Sequence, residues 1–175
     1  MLLSKNFVKS LIPSIFTGIR IILAPIFFVT VINYSPIYPI SIFAFAMITD
    51  VIDGYLARKW DVTSSKGAYF DITADFIFVV AGFSAFIIRG VYPFWLLIVI
   101  IFMFLQFIIT SKSKNPIYDP VGKYYGAFLF LSIFINLIIN NITLNLILTI
   151  LIVLFTIISI TTRFLFIFKN NLNKH

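Results

Sequence analysis

The chain has 175 residues, of which 61% are hydrophobic and only 11% charged. Soluble domains are closer to half apolar and about a quarter charged, so this composition indicates a membrane protein. All six acidic residues are Asp, Cys is absent, and the single His is the last residue. A thiol nucleophile, a Cys-ligated metal, a disulfide framework and a buried His base are therefore excluded, and any acid–base or metal chemistry falls to Asp.

The first ten residues, MLLSKNFVKS, alternate apolar and polar side chains at near-helical spacing. This pattern predicts a short amphipathic helix lying on the membrane surface, with a frayed basic tail as the alternative. A cleavable signal peptide is disfavoured, because the first long apolar run has full spanning length and lacks a small-residue cleavage site.

Six further stretches are long and apolar enough to cross a bilayer as helices, which takes about 20 residues each. Turn-forming residues separate them, and Asp119-Pro120 has the residue types of a helix N-cap followed by the first helical turn. The predicted spans are 12–33, 37–58, 67–88, 92–111, 120–140 and 144–168. The sequence therefore predicts a single all-α integral membrane domain over 1–175, with a six-helix bundle at 12–168 and an interfacial segment at 1–10.

The positive charges lie almost entirely on one side of this predicted bundle. With six spans, both termini share a side with the second-to-third and fourth-to-fifth connections, and that side holds every Lys and Arg except Arg89. The positive-inside rule makes this side cytoplasmic. The net charge of +7 is therefore explained by the orientation of the chain in the membrane and by contact with anionic lipid. Nucleic acid is not expected as a partner.

Four of the six acidic residues fall inside two consecutive predicted spans. Asp50 and Asp53 lie about 60° apart around the second helix, since each residue turns a helix by about 100°. Asp71 and Asp75 are one turn apart on the third helix. A short loop joins these antiparallel helices, so their acidic faces are predicted to meet in one site of four carboxylates near the cytoplasmic side.

Divalent cations would make such a site tolerable in a membrane. Four unpaired carboxylates would cost on the order of 10 kcal/mol, whereas an oxygen-only ligand set suits Mg²⁺, Mn²⁺ or Ca²⁺. Two ions about 4 Å apart suit four carboxylates and phosphoryl transfer, and zinc is disfavoured. On the same face, Gly54 and Ala57 leave room for a ligand or a close helix. Arg58 is able to hold a phosphate or to extend to the membrane interface.

These residues resemble the signature of the CDP-alcohol phosphotransferases (CDP-alcohol phosphatidyltransferases), integral membrane enzymes of phospholipid synthesis. The matching pattern is D-x2-D-G-x2-A-R-x8-G-x3-D-x3-D, and the six-helix layout and chain length extend the likeness over the whole chain. The eight residues that fit it are Asp50, Asp53, Gly54, Ala57, Arg58, Gly67, Asp71 and Asp75.

The resemblance implies a reaction and a role for each motif residue. An acceptor hydroxyl would attack the lipid-bearing phosphate of a CDP-linked alcohol, and CMP would leave. Asp50, Asp53 and Asp71 would ligate two divalent cations, Mg²⁺ or Mn²⁺, and Asp75 would take the hydroxyl proton and touch a metal. The residues implied to bind CDP are Gly54, Ala57, Arg58, Ser64, Gly67 and Thr17.

The acceptor is predicted from weaker likenesses. The run at 13–20 resembles an early pattern of the family, with Ser14 in place of the usual Asn. Arg20, Lys123 and Arg163 are candidates for the acceptor phosphate, each with a cationic membrane anchor as the alternative. The segment at 50–60 looks most like the glycerol-phosphate members, which implies glycerol-3-phosphate. Inositol phosphate, serine or another alcohol remain alternatives, with CDP-diacylglycerol or CDP-archaeol as donor. The family also implies a homodimer.

Two other classes of protein fit intramembrane Asp residues. A cation transporter would be favoured by inverted repeats, and the two halves of this sequence do not match. A structural membrane subunit would use the acids to bind a partner. Release of CMP distinguishes a transferase from both.

Overall fold

The computed structural model describes residues 2–60, 62, 64–111, 122–139 and 141–172, and within these ranges all regular structure is α-helical. This confirms the all-α prediction. The helices are α1 (Leu2–Asn33), α2 (Ile37–Lys59), α3 (Ser65–Ile88), α4 (Phe94–Thr110), α5 (Gly122–Ile138) and α6 (Ile142–Leu172).

Four of these helices are long and apolar enough, by length and composition, to cross a membrane: Ile15–Asn33 of α1, all of α2 and α3, and Ile142–Leu165 of α6. Helices α4 and α5 are apolar but have 17 residues each, at the short end of the range for a spanning helix. Large apolar side chains cover the outer faces of the helices, as lipid contact requires. The chain is a multi-pass membrane protein.

Helix α1 differs from the prediction in one respect. It runs unbroken from Leu2, so the segment expected to lie on the membrane surface is helical and continuous with the first span. Side chains 1–14 lie outside the described residues, so an interfacial position for this segment stays a prediction.

Side-chain caps and one left-handed glycine set several helix ends. The Ser64 hydroxyl accepts a hydrogen bond from the Gly67 amide at 3.0 Å and caps α3, and the side-chain oxygen Oδ1 of Asn141 accepts from the Thr143 amide at 2.9 Å before α6. Gly90 has φ +74° just after α3, which glycine adopts without strain. The predicted cap at Asp119-Pro120 lies outside the described residues.

The chain divides into two compact units, Met1–Arg89 and Gly90–His175. In the N-terminal unit α1 packs against both α2 and α3, and in the C-terminal unit α6 packs against both α4 and α5. The predicted single domain over 1–175 stays a prediction.

An aromatic cluster forms the core of the N-terminal unit. The Phe27 and Phe78 rings stack with centroids 4.7 Å apart, and the Phe43 ring lies 6.1 and 6.2 Å from them. All three rings are buried, and so are Ala24 on α1 and Ala46 on α2. Each alanine lies about one turn from the ring of its own helix, on the side nearer the level of the acidic residues. Small residues of this kind let membrane helices approach closely.

The C-terminal unit is held by buried polar contacts. On α6 the buried polar side chains recur at intervals of three, four or seven residues: Asn145, Thr149, Thr156, Ser159 and Arg163. The Thr156 hydroxyl shares a 3.0 Å hydrogen bond with Tyr125 of α5. Because lipid competes poorly for such groups, hydrogen bonds between helices help to hold membrane bundles together.

Candidate metal and substrate site

The structure brings all four intramembrane carboxylates together. Oxygens of Asp50, Asp53 and Asp71 lie within 4.8 Å of one another. Asp75 joins this group through a shared partner on α1. Asp53 lies six residues before the end of α2, and Asp71 six residues after the start of α3, so the site begins about 9 Å along both helices from their connected ends.

The shared partner is Arg20, whose side chain has no exposed surface. Its Nη2 lies 2.8 Å from an Asp50 oxygen, 2.9 Å from an Asp53 oxygen and 3.2 Å from an Asp71 oxygen. Its Nη1 donates to Asp75. One guanidinium therefore touches every carboxylate of the cluster, and Arg20 does not extend to the membrane interface.

Helix α1 also contributes Thr17, one turn before Arg20. The Thr17 hydroxyl donates to Asp53 Oδ2 at 3.1 Å, and both residues are buried. The packing of α1 against the acids was not predicted, although the sequence of α1 contains a pattern that indicates its buried face. The buried residues of α1 recur every three or four positions: Thr17, Arg20, Ala24, Phe27 and Val31. Such a stripe marks the face that a helix turns toward its neighbours.

The cluster is open on one side. The side chains of Asp50 and Asp71 are each 40% exposed and that of Asp75 is 33% exposed, whereas Asp53 is 6% exposed. Three carboxylates therefore face accessible space where a ligand can reach them, and the fourth is enclosed by α1.

The donor set fits a divalent cation. It contains only carboxylate oxygens, the ligands that Mg²⁺, Mn²⁺ and Ca²⁺ prefer. Asp71 Oδ1 is buried and lies 3.2 Å from Arg20 Nη2, and among the described residues no donor reaches it in hydrogen-bond geometry. A divalent cation would satisfy this oxygen more fully than the ion pair does. The acidic cluster is thus suited to hold a metal ion.

Arg58, one turn after Gly54 on α2, folds back over that glycine. A Cβ built on Gly54 would lie 3.2 Å from Arg58 Nη1, so the absence of a side chain at position 54 makes room for the guanidinium. Arg58 is exposed, and Ala57 beside it is half-buried. An accessible guanidinium is well suited to bind phosphate oxygens.

Ser64 and Gly67 lie together at the start of α3, where the Ser64 hydroxyl caps the helix. A Cβ on Gly67 would lie 3.1 Å from that hydroxyl, so glycine at position 67 relieves the contact. The start of α3 follows the end of α2 after five residues, on the side where the cluster lies.

Of the three cations predicted to bind an acceptor phosphate, Arg163 lies in the C-terminal unit and is 2% exposed. Its guanidinium donates to the Thr110 hydroxyl, to the Phe107 carbonyl at 3.1 Å and to the Ser111 hydroxyl at 3.0 Å. It therefore ties α6 to the end of α4. Lys123 belongs to the first turn of α5, and its side chain lies outside the described residues.

The fold and site define an all-α membrane protein with a carboxylate cluster shared between two antiparallel helices. The sequence profile of the family described as CDP-alcohol phosphatidyltransferase matches residues 10–165. The chain belongs to this family.

Several characterised relatives are similar to part of the chain. A protein of Haemophilus influenzae named CDP-diacylglycerol–glycerol-3-phosphate 3-phosphatidyltransferase is 41% identical over 107 residues, which cover 59% of this chain and 57% of the relative. One of the same name from Wigglesworthia glossinidia brevipalpis is 37% identical over 109 residues, covering 59% and 58%. One from Escherichia coli K12 is 39% identical over 71 residues, covering 39% of each. The chain thus spans less than two thirds of the length of the relatives it matches.

Proposed function

We propose that the chain transfers the phosphatidyl group of CDP-diacylglycerol to glycerol-3-phosphate and releases CMP, a step of phospholipid synthesis. The observation that carries this proposal is the convergence of four family-motif carboxylates from α2 and α3 on one accessible site. The names of three similar proteins support both substrates.

Two divalent cations, Mg²⁺ or Mn²⁺, would be held by Asp50, Asp53 and Asp71, with Asp75 at the edge of the same site. Bound there, the cations would neutralise the diphosphate and stabilise the departing phosphate of CMP. The all-oxygen donor set supports this assignment, as does the buried Asp71 Oδ1, which is ion-paired with Arg20 but not hydrogen-bonded among the described residues.

The reaction forms one P–O bond and breaks another. A hydroxyl oxygen of glycerol-3-phosphate attacks the lipid-bearing phosphorus of CDP-diacylglycerol, and the P–O bond to CMP breaks, so that CMP carries away the bonding electron pair. Asp75 accepts the hydroxyl proton. Its position one turn beyond Asp71 and its 33% exposure support this role, because a general base must reach both the site and the incoming alcohol.

The nucleotide would lie against the end of α2 and the start of α3. Arg58 binds a phosphate of CDP, and Gly54, Ala57, Ser64 and Gly67 line the space beside it. The exposed guanidinium of Arg58 over Gly54 supports this arrangement. Thr17 contributes from α1 by fixing Asp53, to which it donates a hydrogen bond.

The acceptor phosphate would be bound by Lys123 and Arg163. The positive charge of Arg163 supports this role, and its hydrogen bonds to Thr110 and Ser111 also anchor α6. The contacts of Arg20 support a different function for that residue, since its guanidinium is committed to the four carboxylates.

We further propose that residues 1–175 act as one catalytic domain and as a homodimer, with both termini and the site on the cytoplasmic side. The restriction of Lys and Arg to one predicted side, with Arg89 as the exception, supports this orientation.

The test is an acceptor and donor panel with purified protein and Mn²⁺. We expect CMP release with CDP-diacylglycerol and glycerol-3-phosphate, and less than a tenth of that rate with serine, inositol phosphate or water. CDP-archaeol is the parallel donor, which tests the lipid class. Release of CMP with serine but not with glycerol-3-phosphate would show that glycerol-3-phosphate is not the acceptor. Release with no acceptor of the panel would refute transfer altogether and leave cation transport to be measured in liposomes.

A further inference from the structure

We propose that Arg20 is a resident counter-ion of the metal site. It holds the carboxylates of α2 and α3 together before metal binds, and its Nη2 must leave the centre of the cluster when the first divalent cation enters. This inference rests on the metal site of the proposed function and assigns Arg20 a positioning role that is distinct from acceptor binding.

The position of Nη2 is the first argument. This one nitrogen lies 2.8 to 3.2 Å from oxygens of Asp50, Asp53 and Asp71, the same three residues whose oxygens lie within 4.8 Å of one another. Carboxylate oxygens bind Mg²⁺ at about 2.0–2.1 Å, so an ion coordinated by all three would require the space that Nη2 fills. The nitrogen and the ion therefore compete for one place.

The second argument concerns hydrogen bonds. An Nη2 group has two hydrogens, and three carboxylate oxygens surround it. Asp71 Oδ1, the most distant of the three at 3.2 Å, is buried and is ion-paired with Nη2, but no donor among the described residues reaches it in hydrogen-bond geometry. The guanidinium thus neutralises part of the cluster without satisfying it. A metal ion, which has no directional donor limit, would satisfy the remaining oxygen.

The contact with Asp75 allows the Arg20 guanidinium to rotate while one of its nitrogens stays bound. Nη1 donates to Asp75, which is absent from the three-carboxylate group, so Nη2 can move away while Nη1 keeps its partner. The planar fork of a guanidinium makes two such contacts at once, which an ammonium cannot do.

The net charge of the cluster has a consequence for the order of binding. Four carboxylates and one guanidinium leave three negative charges. One divalent cation reduces these to one, and a second would make the site positive. The second cation is therefore expected to bind tightly only together with the negatively charged diphosphate of the substrate.

The experiment measures Mn²⁺ binding by the detergent-solubilised chain of residues 1–175, with free Mn²⁺ followed by electron paramagnetic resonance. Arg20→Gln removes the competing cation and should bind the first Mn²⁺ at least tenfold more tightly than wild type. In EDTA the same variant should melt at a lower temperature, because four carboxylates are then left without a counter-ion. Arg20→Lys should give intermediate values. Arg89→Gln, which removes an exposed cation of the same unit at the far end of α3, is the matched control and should bind like wild type.

Equal or weaker Mn²⁺ binding by Arg20→Gln would overturn the inference. An arginine that only supports the fold does not compete with the metal, so its removal would not tighten Mn²⁺ binding. If Arg20→Gln fails to fold, Arg20→Gln/Asp75→Asn is compared with Asp75→Asn, and the tenfold gain is expected in that pair. Absence of Mn²⁺ binding in every variant would overturn both the inference and the proposed metal site. Equal binding with normal CMP release would overturn the role of Arg20 alone.

Discussion

At the scale of single residues, the four carboxylates of the site have unequal surroundings. Asp53 is enclosed by Thr17 and Arg20, whereas Asp50, Asp71 and Asp75 are open to a ligand. Identical side chains can therefore perform different tasks. Asp53, one of the three proposed metal ligands, is also held in place by α1, and the exposed three are open to substrate.

Replacing Asp75 with Asn tests its role as the base. The amide cannot accept the hydroxyl proton, so we expect the rate of CMP release to fall by at least about 10²-fold. Binding of Mn²⁺ should persist, because Asp50, Asp53 and Asp71 remain. Asp61→Asn makes the same chemical change at a sequence position between α2 and α3, outside the four-carboxylate motif, and should leave the rate unchanged. Retained turnover in the Asp75 variant would show that another group accepts the hydroxyl proton.

Replacing Gly54 with Ala tests the position of Arg58. The added Cβ would lie 3.2 Å from Arg58 Nη1, the far end of a flexible side chain that can move aside. We expect a folded protein whose KM for CDP-diacylglycerol rises about tenfold, the loss expected for one charged hydrogen bond of about 1.4 kcal/mol. Gly18→Ala is the control, since no atom lies within 4 Å of its Cβ. Equal KM values in the two variants would show that Arg58 does not bind the nucleotide from this position.

The sequence was sufficient to predict that the four Asp residues lie together, but not to predict where the Arg20 side chain lies. Helical spacing and a short loop determine how α2 and α3 face each other, because the two helices are consecutive. Spacing within α1 shows which side of that helix is buried, but not which neighbour it meets. The contact of Arg20 with Asp75 depends on packing between helices whose contacting residues are 55 positions apart.

At the scale of helices, the boundaries of α2 to α5 lie within two residues of the predicted spans. Apolar length and turn-forming residues carry this information, because backbone groups in lipid have to be paired within the helix. Helices α6 and α1 differ more: α6 ends four residues later than predicted, and α1 begins ten residues earlier. Pro13 is tolerated best in a first helical turn, which favours a start near it, yet the helix passes through this position from Leu2. The preference of proline for the first helical turn therefore does not determine where α1 begins.

Arg163 provides a test of how α6 is held. Arg163→Met leaves the Thr110 and Ser111 hydroxyls without their charged donor, so we expect a loss of about 2 kcal/mol in the free energy of unfolding in micelles. Thr161→Ala, two residues away at an exposed position, should have no measurable effect. Arg163→Lys keeps the charge but not the planar fork. An increase in its KM for glycerol-3-phosphate would support acceptor binding, whereas an unchanged KM with lower stability would restrict Arg163 to anchoring.

At the scale of the whole molecule, the orientation in the membrane is directly testable because the chain contains no Cys. Tyr34, between α1 and α2, is 57% exposed. In intact cells we expect a membrane-impermeant thiol reagent to label Tyr34→Cys, and to label Lys5→Cys only after the membrane is permeabilised. Ile139→Cys, in the turn before α6, is a second outer position and should behave like Tyr34→Cys. The reverse labelling pattern would place the site on the outer side.

The aromatic cluster of Phe27, Phe43 and Phe78 also bears on how a membrane potential would fall across the N-terminal unit. These rings lie beyond the carboxylates along all three helices of that unit, and the rings are buried. Moving one elementary charge through a full potential involves about 2.3 kcal/mol per 100 mV. A buried aromatic layer excludes water and ions, so in the proposed orientation cations and diphosphate would reach the open carboxylates without crossing much of the field. We therefore expect the rate of the proposed transfer to be insensitive to the membrane potential.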